Sequence, residues 1–218
     1  MIKDRFKVYL CQYQDIKHIV EGKHYLRRKP QVKACFCLFD TTEGRIVGGL
    51  VIGKPASNSL CVGVCGEDFS GYVYELNRLY VEDIGINYLE SYFIGNSLRL
   101  LRGVYNNMIL VSYADEDMRH VGMVYQASSW LYTGKTPRRT DKFVPDGKHS
   151  RHYDKKQMDG KRVVRSAKYR YVKFIGNKSF RRKCNEALRY DVLPYEKKDL
   201  GYYDDQFIYK REVIGGKK

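Results

Sequence analysis

Between Gly71 and Tyr113 the sequence sets out a strand, a helix and a second strand in succession. Gly71–Val81 is rich in bulky β-formers, and Met108–Tyr113 is a short apolar run bounded by Asn106-Asn107 and Ala114-Asp115. Between them Leu89, Tyr92/Phe93, Ser97 and Leu100/Leu101 recur at helical spacing. Asn87 with Glu90 reads as an N-terminal capping signature and Gly103 as a C-cap, so a helix is predicted over residues 87–102. A buried apolar strand reached through a helical crossover lies parallel to the strand before it, with helices covering the sheet. The unit commits the chain to an α/β architecture.

The flanking sequence extends that unit. Val32–Asp40 and Arg45–Ile52 are β-rich runs joined by Thr41-Thr42-Glu43-Gly44, which predicts an antiparallel hairpin ahead of the parallel pair. A second helix is expected over residues 119–129 and a further strand near Trp130–Thr133, after which Gly134 and Pro137 punctuate the chain. The 218 residues suit one generous α/β domain, read as residues 1–140, followed by a basic C-terminal extension, 141–218, packed on the same domain. No apolar run is long enough to span a bilayer, so no membrane is expected, and Met1–Lys7 lacks the apolar core of a signal peptide. The six cysteines are read as reduced thiols.

The formal net charge of +15 is concentrated in one stretch. Residues 135–183 hold 18 Lys and Arg against four Asp and Glu, whereas residues 1–134 hold 15 against 14. Clustered cations gain affinity for nucleic acid by releasing its condensed counterions. Tyr153, Tyr169, Tyr171, Phe174 and Phe180 are interleaved with these cations, and rings of that kind can stack on bases. Nucleic acid is therefore the expected partner, with Lys135, Arg138, Arg139, Arg151, Arg165, Lys168, Arg170 and Lys173 as candidate contacts; a solvated basic tail is the plainer reading, and a membrane surface lacks an evident amphipathic helix.

Common cofactor motifs are missing. No GxGxxG follows a strand, and Gly134-Lys135-Thr136 fails as a phosphate loop because Ser129 stands where its first glycine belongs. Cys35-x-Cys37, Cys61-xxx-Cys65 and His149-xx-His152 supply pairs of metal-ligand type without a four-ligand spacing.

The element order resembles the GNAT acyltransferase fold, a mixed central sheet flanked by helices. That resemblance implies that strand 75–81 splays from the next strand, that an acyl-CoA arm lies between them, and that Leu79, Tyr80, Val81, Ser97 and Tyr125 line it. Helix N-termini suit phosphates, although the pyrophosphate loop of that family is absent before Asn87. A closer resemblance is to the Mom-type DNA modification proteins of bacteriophages, a divergent GNAT branch. Glu75-Leu76-Asn77-Arg78-Leu79, Ser112-Tyr113-Ala114-Asp115, His120–Ala127 and Trp130–Gly134 carry it, with Lys168–Val172 and Val192–Tyr195 at its edge. It implies conversion of adenine in double-stranded phage DNA, the implied partner, to an N6-carbamoylmethyl-type derivative, in the cytoplasm of the infected host, protecting the genome from restriction. The implied donor is an acyl-CoA or a related small molecule, and iron is implied by the resemblance alone, with no ligand set in view.

An adenine amine is a poor nucleophile, so its modification needs a proton acceptor, groups that hold charge and a pocket for the extruded base. Asp115 and Glu75 are candidates for the base or proton relay, Arg78 for an anion anchor, and Tyr125 for a donor facing the cofactor. His120 and Ser112 complete the catalytic candidates. Each has a plainer reading: Asp115 as a helix cap, Glu75 with Arg78 as an ion pair, Tyr125 as core, His120 as an ordinary helix-start residue, Ser97 and Ser112 as packing. Glu75 and Arg78 would lie on opposite faces of a regular strand unless a bulge intervenes. A conventional acetyltransferase acting on a protein or small amine, and a non-catalytic DNA-binding protein, are the alternatives.

Overall fold

The structure, a computed structural model, describes residues 1–26, 28–143, 160–197 and 212–215. Its elements follow in chain order as α1 (Ile2–Arg5), β1 (Phe6–Cys11), α2 (Tyr13–Gly22), β2 (Ala34–Asp40), β3 (Arg45–Gly53) and α3 (Asn58–Cys65). A short 3-10 turn leads into β4 (Val73–Val81), α4 (Leu89–Val104) and β5 (Met108–Asp115). Another precedes α5 (Met123–Ala127), β6 (Leu131–Thr136), β7 (Arg139–Lys142), β8 (Arg162–Arg165), β9 (Lys168–Ile175), α6 (Lys178–Ala187) and β10 (Val213–Ile214). Seven strands form the main sheet in the order β1-β2-β3-β4-β5-β9-β6, and β10-β8-β7 form a small second one. Only β4 and β5 run parallel in the main sheet; its other pairs are antiparallel.

Helices cover both faces. On one, Phe93, Ile94, Leu98 and Leu101 of α4 pack with Phe36, Leu50, Ile52 and Leu110, and Tyr125 and Trp130 continue this core toward Tyr171. On the other, Ile16 and Val20 of α2 meet Cys35, Cys37 and Val51, while α3 and α6 close over Val73, Ile109, Val111 and Val172. This is the expected mixed α/β sheet flanked by helices. Residues 168–175 of the basic stretch lie inside it, between β5 and β6.

Local boundaries differ from expectation. The first predicted helix starts at Leu89, because Tyr88 adopts a left-handed φ of 66°, and Asn87 does not cap it. Gly103 stays helical; the helix ends at Tyr105, whose extended backbone still donates to the Leu101 carbonyl. The second is far shorter than residues 119–129, since Arg119 (φ 56°) and Gly122 (φ 86°) turn left-handed before α5. Tyr171, Phe174 and Phe180, expected as stacking platforms, are buried core residues, and Tyr153 lies outside the described residues.

The parallel pair is brief. β4 and β5 share only Val73–Ile109, Tyr74–Leu110 and Glu75–Val111, after which β4 stays with β3 and leaves β5. The segment after α2 straps this opening: Arg78 donates to the Arg28 carbonyl at 3.2 Å, Asn77 Nδ2 to the Gln31 carbonyl at 2.9 Å, and the Lys33 N–H to the Ile52 carbonyl at 2.7 Å. Gly53 permits the approach, since a Cβ there would sit 1.9 Å from the Gln31 oxygen. Gly53→Ala should therefore lift the strap and destabilise the fold by about 1–3 kcal/mol, the usual range for overpacking. Thermal unfolding checks this, and an unchanged midpoint would contradict the packing described.

Candidate active site at the strand fork

The fork is closed at its apex by side chains. A serine hydroxyl has one proton, and Ser112 Oγ on β5 lies 2.8 Å from both the Leu76 carbonyl of β4 and the Tyr125 hydroxyl of α5. Leu76 follows the last residue paired with β5, so Ser112 supplies a bridge where the ladder stops. When the serine proton turns to the phenol oxygen, the proton of Tyr125 is free to be given elsewhere. Tyr125 is buried against Trp130 and Tyr171, with ring centroids at 5.3 and 5.2 Å, and burial pushes its hydroxyl up to about 12. Gly122, at the N-terminus of α5, lets the helix rest on the Tyr171 ring, 2.3 Å from where a Cβ would stand.

The opposite face of the fork is charged. The register of β4 against β3 shifts between Val51 and Ile52: Val51 faces Arg78 and Ile52 faces Leu76, leaving Asn77 as the extra residue of a bulge. The bulge brings Glu75 and Arg78 to one face, the condition set by the sequence reading. They do not form an ion pair among the described residues. Burial raises the proton affinity of Glu75, opposed by Lys168, Arg78 and Arg28. Arg78 is 6% exposed. Its guanidinium donates to the Asn77 and Arg28 carbonyls, and its buried Nε has no partner among the described residues. Burial, then Arg28, lowers its pKa. A buried cation without a carboxylate is costly unless an anion or carbonyl reaches it.

Asp115 ends β5 on the same face. Its carboxylate accepts the Asp117 N–H at 3.2 Å and lies 3.2 Å from Lys168 Nζ, its partner across β9. The cap of the plainer reading is present, and with the Lys168 ion pair, which that reading did not include, it fixes the carboxylate at the edge of the cluster. His120 is exposed, and its N–H bonds the Asp115 carbonyl. Leu79, Tyr80 and Val81 form the free arm of the fork, partly exposed and paired only with β3. Ser97 is fully buried in α4, with no partner for its hydroxyl among the described residues.

Sequence reasoning missed four contributors. His24, Tyr25 and Arg28 belong to the strap and Tyr113 to β5, and all four lie within electrostatic reach of the charged face of the fork: His24 and Tyr25 of Arg78, Arg28 of Glu75 and Arg78, Tyr25 of Asp115, and Tyr113 of Glu75. His24 and Tyr25 stack at 4.5 Å, and burial raises the pKa of both Tyr25 and Tyr113. The available signal was the adjacent His24-Tyr25 just after the amphipathic α2.

The proposed DNA contacts are largely engaged within the chain. Lys135 pairs with Glu116, Arg138 with Asp117, Arg165 with Asp141 and Lys168 with Asp115. Arg170 donates to the Thr133 carbonyl and lies 3.4 Å over the Tyr190 ring, Lys173 donates to the Ser128 and Ser129 carbonyls, and Arg139 is exposed on β7. Arg151, and the His149–His152 pair, lie outside the described residues.

For the implied groups, the end of β4 leaves its β5-side edge unpaired, whereas at the turn before α4 the nearby cations Lys23 and Arg45 are both taken up by Glu82 rather than left for a pyrophosphate. No three His, Cys, Asp or Glu side chains among the described residues converge as a metal site, so no ligand set for iron is found there. No helix among them is long and apolar enough to cross a membrane.

Comparison with known proteins adds three findings. The Mom protein family model matches residues 5–197. The curated "Methylcarbamoylase mom" of Escherichia phage Mu is 30% identical over 194 residues, covering 82% of this chain and 78% of that protein. Among solved structures, the ribosomal-protein-S5-alanine acetyltransferase from Vibrio fischeri aligns with a TM-score of 0.49 at 9% identity, over 80% of this chain and 94% of that one. An acetyltransferase of the GNAT family from Streptococcus pneumoniae gives 0.47 at 12%, over 78% and 99%.

One consequence of the pocket is measurable in the free protein. Burial, then Arg78, His120 and Lys168, hold the His24 imidazole down to about 3. An unfolded histidine takes its proton near pH 6.5, so between these values the unfolded chain binds more protons and stability falls as pH is lowered. The contribution reaches about 1.4 kcal/mol per pH unit. Denaturant unfolding of His24→Gln across this window should show a shallower pH dependence than the parent; an identical slope would contradict a buried neutral imidazole.

Proposed function

The chain belongs to the Mom protein family, and on that premise we propose that it is a DNA-modifying transferase that places a carbamoylmethyl-type group on the N6 amine of adenine in phage DNA. The observation that carries this reading is the pairing, on one face of the fork, of a buried arginine lacking a carboxylate with a glutamate of raised proton affinity. The Mu relative's name as a methylcarbamoylase supports a transfer of this kind. The setting is the host cytoplasm, where the phage genome is copied.

An extruded adenine enters the pocket beside Tyr25 and Tyr113, whose rings give it apolar walls. The N6–H bond breaks as N6 displaces a leaving group from the methylene carbon of the donor: the N6–carbon bond forms, the bond from that carbon to the leaving group breaks, and Glu75 takes the proton. Its burial matches that role, because a carboxylate of raised pKa is the better base. The free donors of Arg78 hold the carbamoyl oxygen or an anionic part of the donor. Asp115, fixed by Lys168 and the Asp117 N–H, orients the neighbouring polar groups. On the far face, Tyr125 gives its proton to the leaving group and regains one through Ser112. The donor, a small molecule related to an acyl-CoA that carries its leaving group on the methylene carbon, occupies the fork along Leu79–Val81; transfer from the carbonyl carbon of a plain acyl-CoA would give an amide instead. DNA and donor thus approach from opposite faces and meet where the sheet is parted.

Nucleoside mass spectrometry of plasmid DNA from expressing cells tests the proposal. The parent should yield carbamoylmethylated deoxyadenosine. Tyr125→Phe and Glu75→Gln should lower it by about 100-fold or more, the usual share of a proton-transfer group, while duplex binding persists. Unmodified DNA from folded parent protein would overturn the reading. Acetyl-CoA turnover on an amine without DNA would favour a conventional acetyltransferase, and duplex binding alone a non-catalytic protein.

A further inference from the structure

A second basic surface lies away from the fork. At the sheet edge, where β6 begins and leaves the end of β9 uncovered, a groove of about 820 Å³ opens between β9, α6 and the C-terminal part of α4. Arg102, Lys173, Lys178, Arg181 and Arg182 line it over a floor that includes Val172 and Phe174. Glu186 is its only carboxylate among the described residues, 3.7 Å from Arg182 Nε within the same helix. The cations near the fork contrast with these, because most of them already have carboxylate partners.

The groove is built to hold its charges together. Lys173 is half-buried and anchored by the Ser128 and Ser129 carbonyls at 3.1 and 2.7 Å. Ser129 adopts a left-handed φ of 56° in this turn. Arg102 from α4 and Arg181 from α6 face the same ammonium, and burial and both arginines depress its pKa. Three elements thus bring cations together, with Glu186 beside Arg182 as the one carboxylate lining the groove among the described residues, an arrangement relieved by a polyanion with regularly spaced charges.

We propose that this groove seats the phosphate backbone of duplex DNA to one side of the modified base. Lys173 is five residues along β9 from Lys168 beside the fork, roughly 17 Å at strand rise. That spans about five base-pair steps, so the groove meets the backbone about half a helical turn from the pocket. The inference rests on the DNA-modifying reading for its partner.

The test uses full-length protein carrying Lys178→Gln, Arg181→Gln and Arg182→Gln, all exposed. A charge-matched control carries Lys3→Gln, Lys17→Gln and Lys183→Gln, also exposed and outside the groove. Binding of a duplex of roughly two helical turns is measured against salt concentration. The groove variant should lose about 2.7 from the log–log slope, at about 0.9 per contact, and on the order of 100-fold in affinity at physiological salt. The control should behave as the parent. An unchanged slope in the groove variant, or an equal loss in the control, would overturn the proposal. So would tighter parental binding to phosphatidylserine vesicles than to duplex, weakened by the groove substitutions. Nucleoside analysis of the same proteins separates the two readings: a slope loss with no adenine product leaves the groove standing and fails the chemistry, and the converse fails the groove alone.

Discussion

Everything at the fork depends on a ladder that is abandoned after three residues. β4 and β5 pair as parallel strands through Glu75 and Val111 and then part, leaving backbone groups that a continuous sheet would have satisfied. An unpaired buried carbonyl is costly. Ser112 meets that cost for Leu76 and, through the same oxygen, ties α5 to the apex. The opening is therefore a stable gap through the sheet, with tyrosine on one side of it and charge on the other.

The charged side is held by backbone rather than by counter-ions. Arg78 is fastened to the carbonyls of Asn77 and Arg28, so the strap and the strand bulge fix the guanidinium without neutralising it. A carboxylate in the same place would have stabilised the resting protein and consumed the donors a ligand needs. The bulge at Asn77 is thus the local irregularity on which the placement of both Glu75 and Arg78 rests, and Asn77 itself secures the strap at Gln31.

The hairpin and the β4–α4–β5 crossover were legible in the sequence because their signals are local: alternation, apolar runs and helical spacing. Glu75, Arg78, Ser112 and Tyr125 carry no such signal and were reached only through the family resemblance. The strap was not, since His24, Tyr25 and Arg28 have no period and gain their setting only from contact with a distant strand. β9 was disguised by its charge. Lys168, Arg170 and Lys173 read as a polyanion-binding run, yet Tyr171 and Val172 between them, and Ile175 just beyond, are fully buried. Helix ends failed where a left-handed residue set the start, as at exposed Tyr88 and at Gly122 packed against Tyr171.

The position of β9 also bears on the order in which the molecule is made. On the ribosome, β1 to β6 emerge before Lys168–Ile175, so β5 and β6 wait without their common neighbour, and Asp115 without its lysine. A sheet whose next-to-last strand arrives late closes through contacts of long sequence separation, which slows folding and exposes strand edges meanwhile. A nascent chain therefore has no finished pocket before the basic stretch has left the exit tunnel.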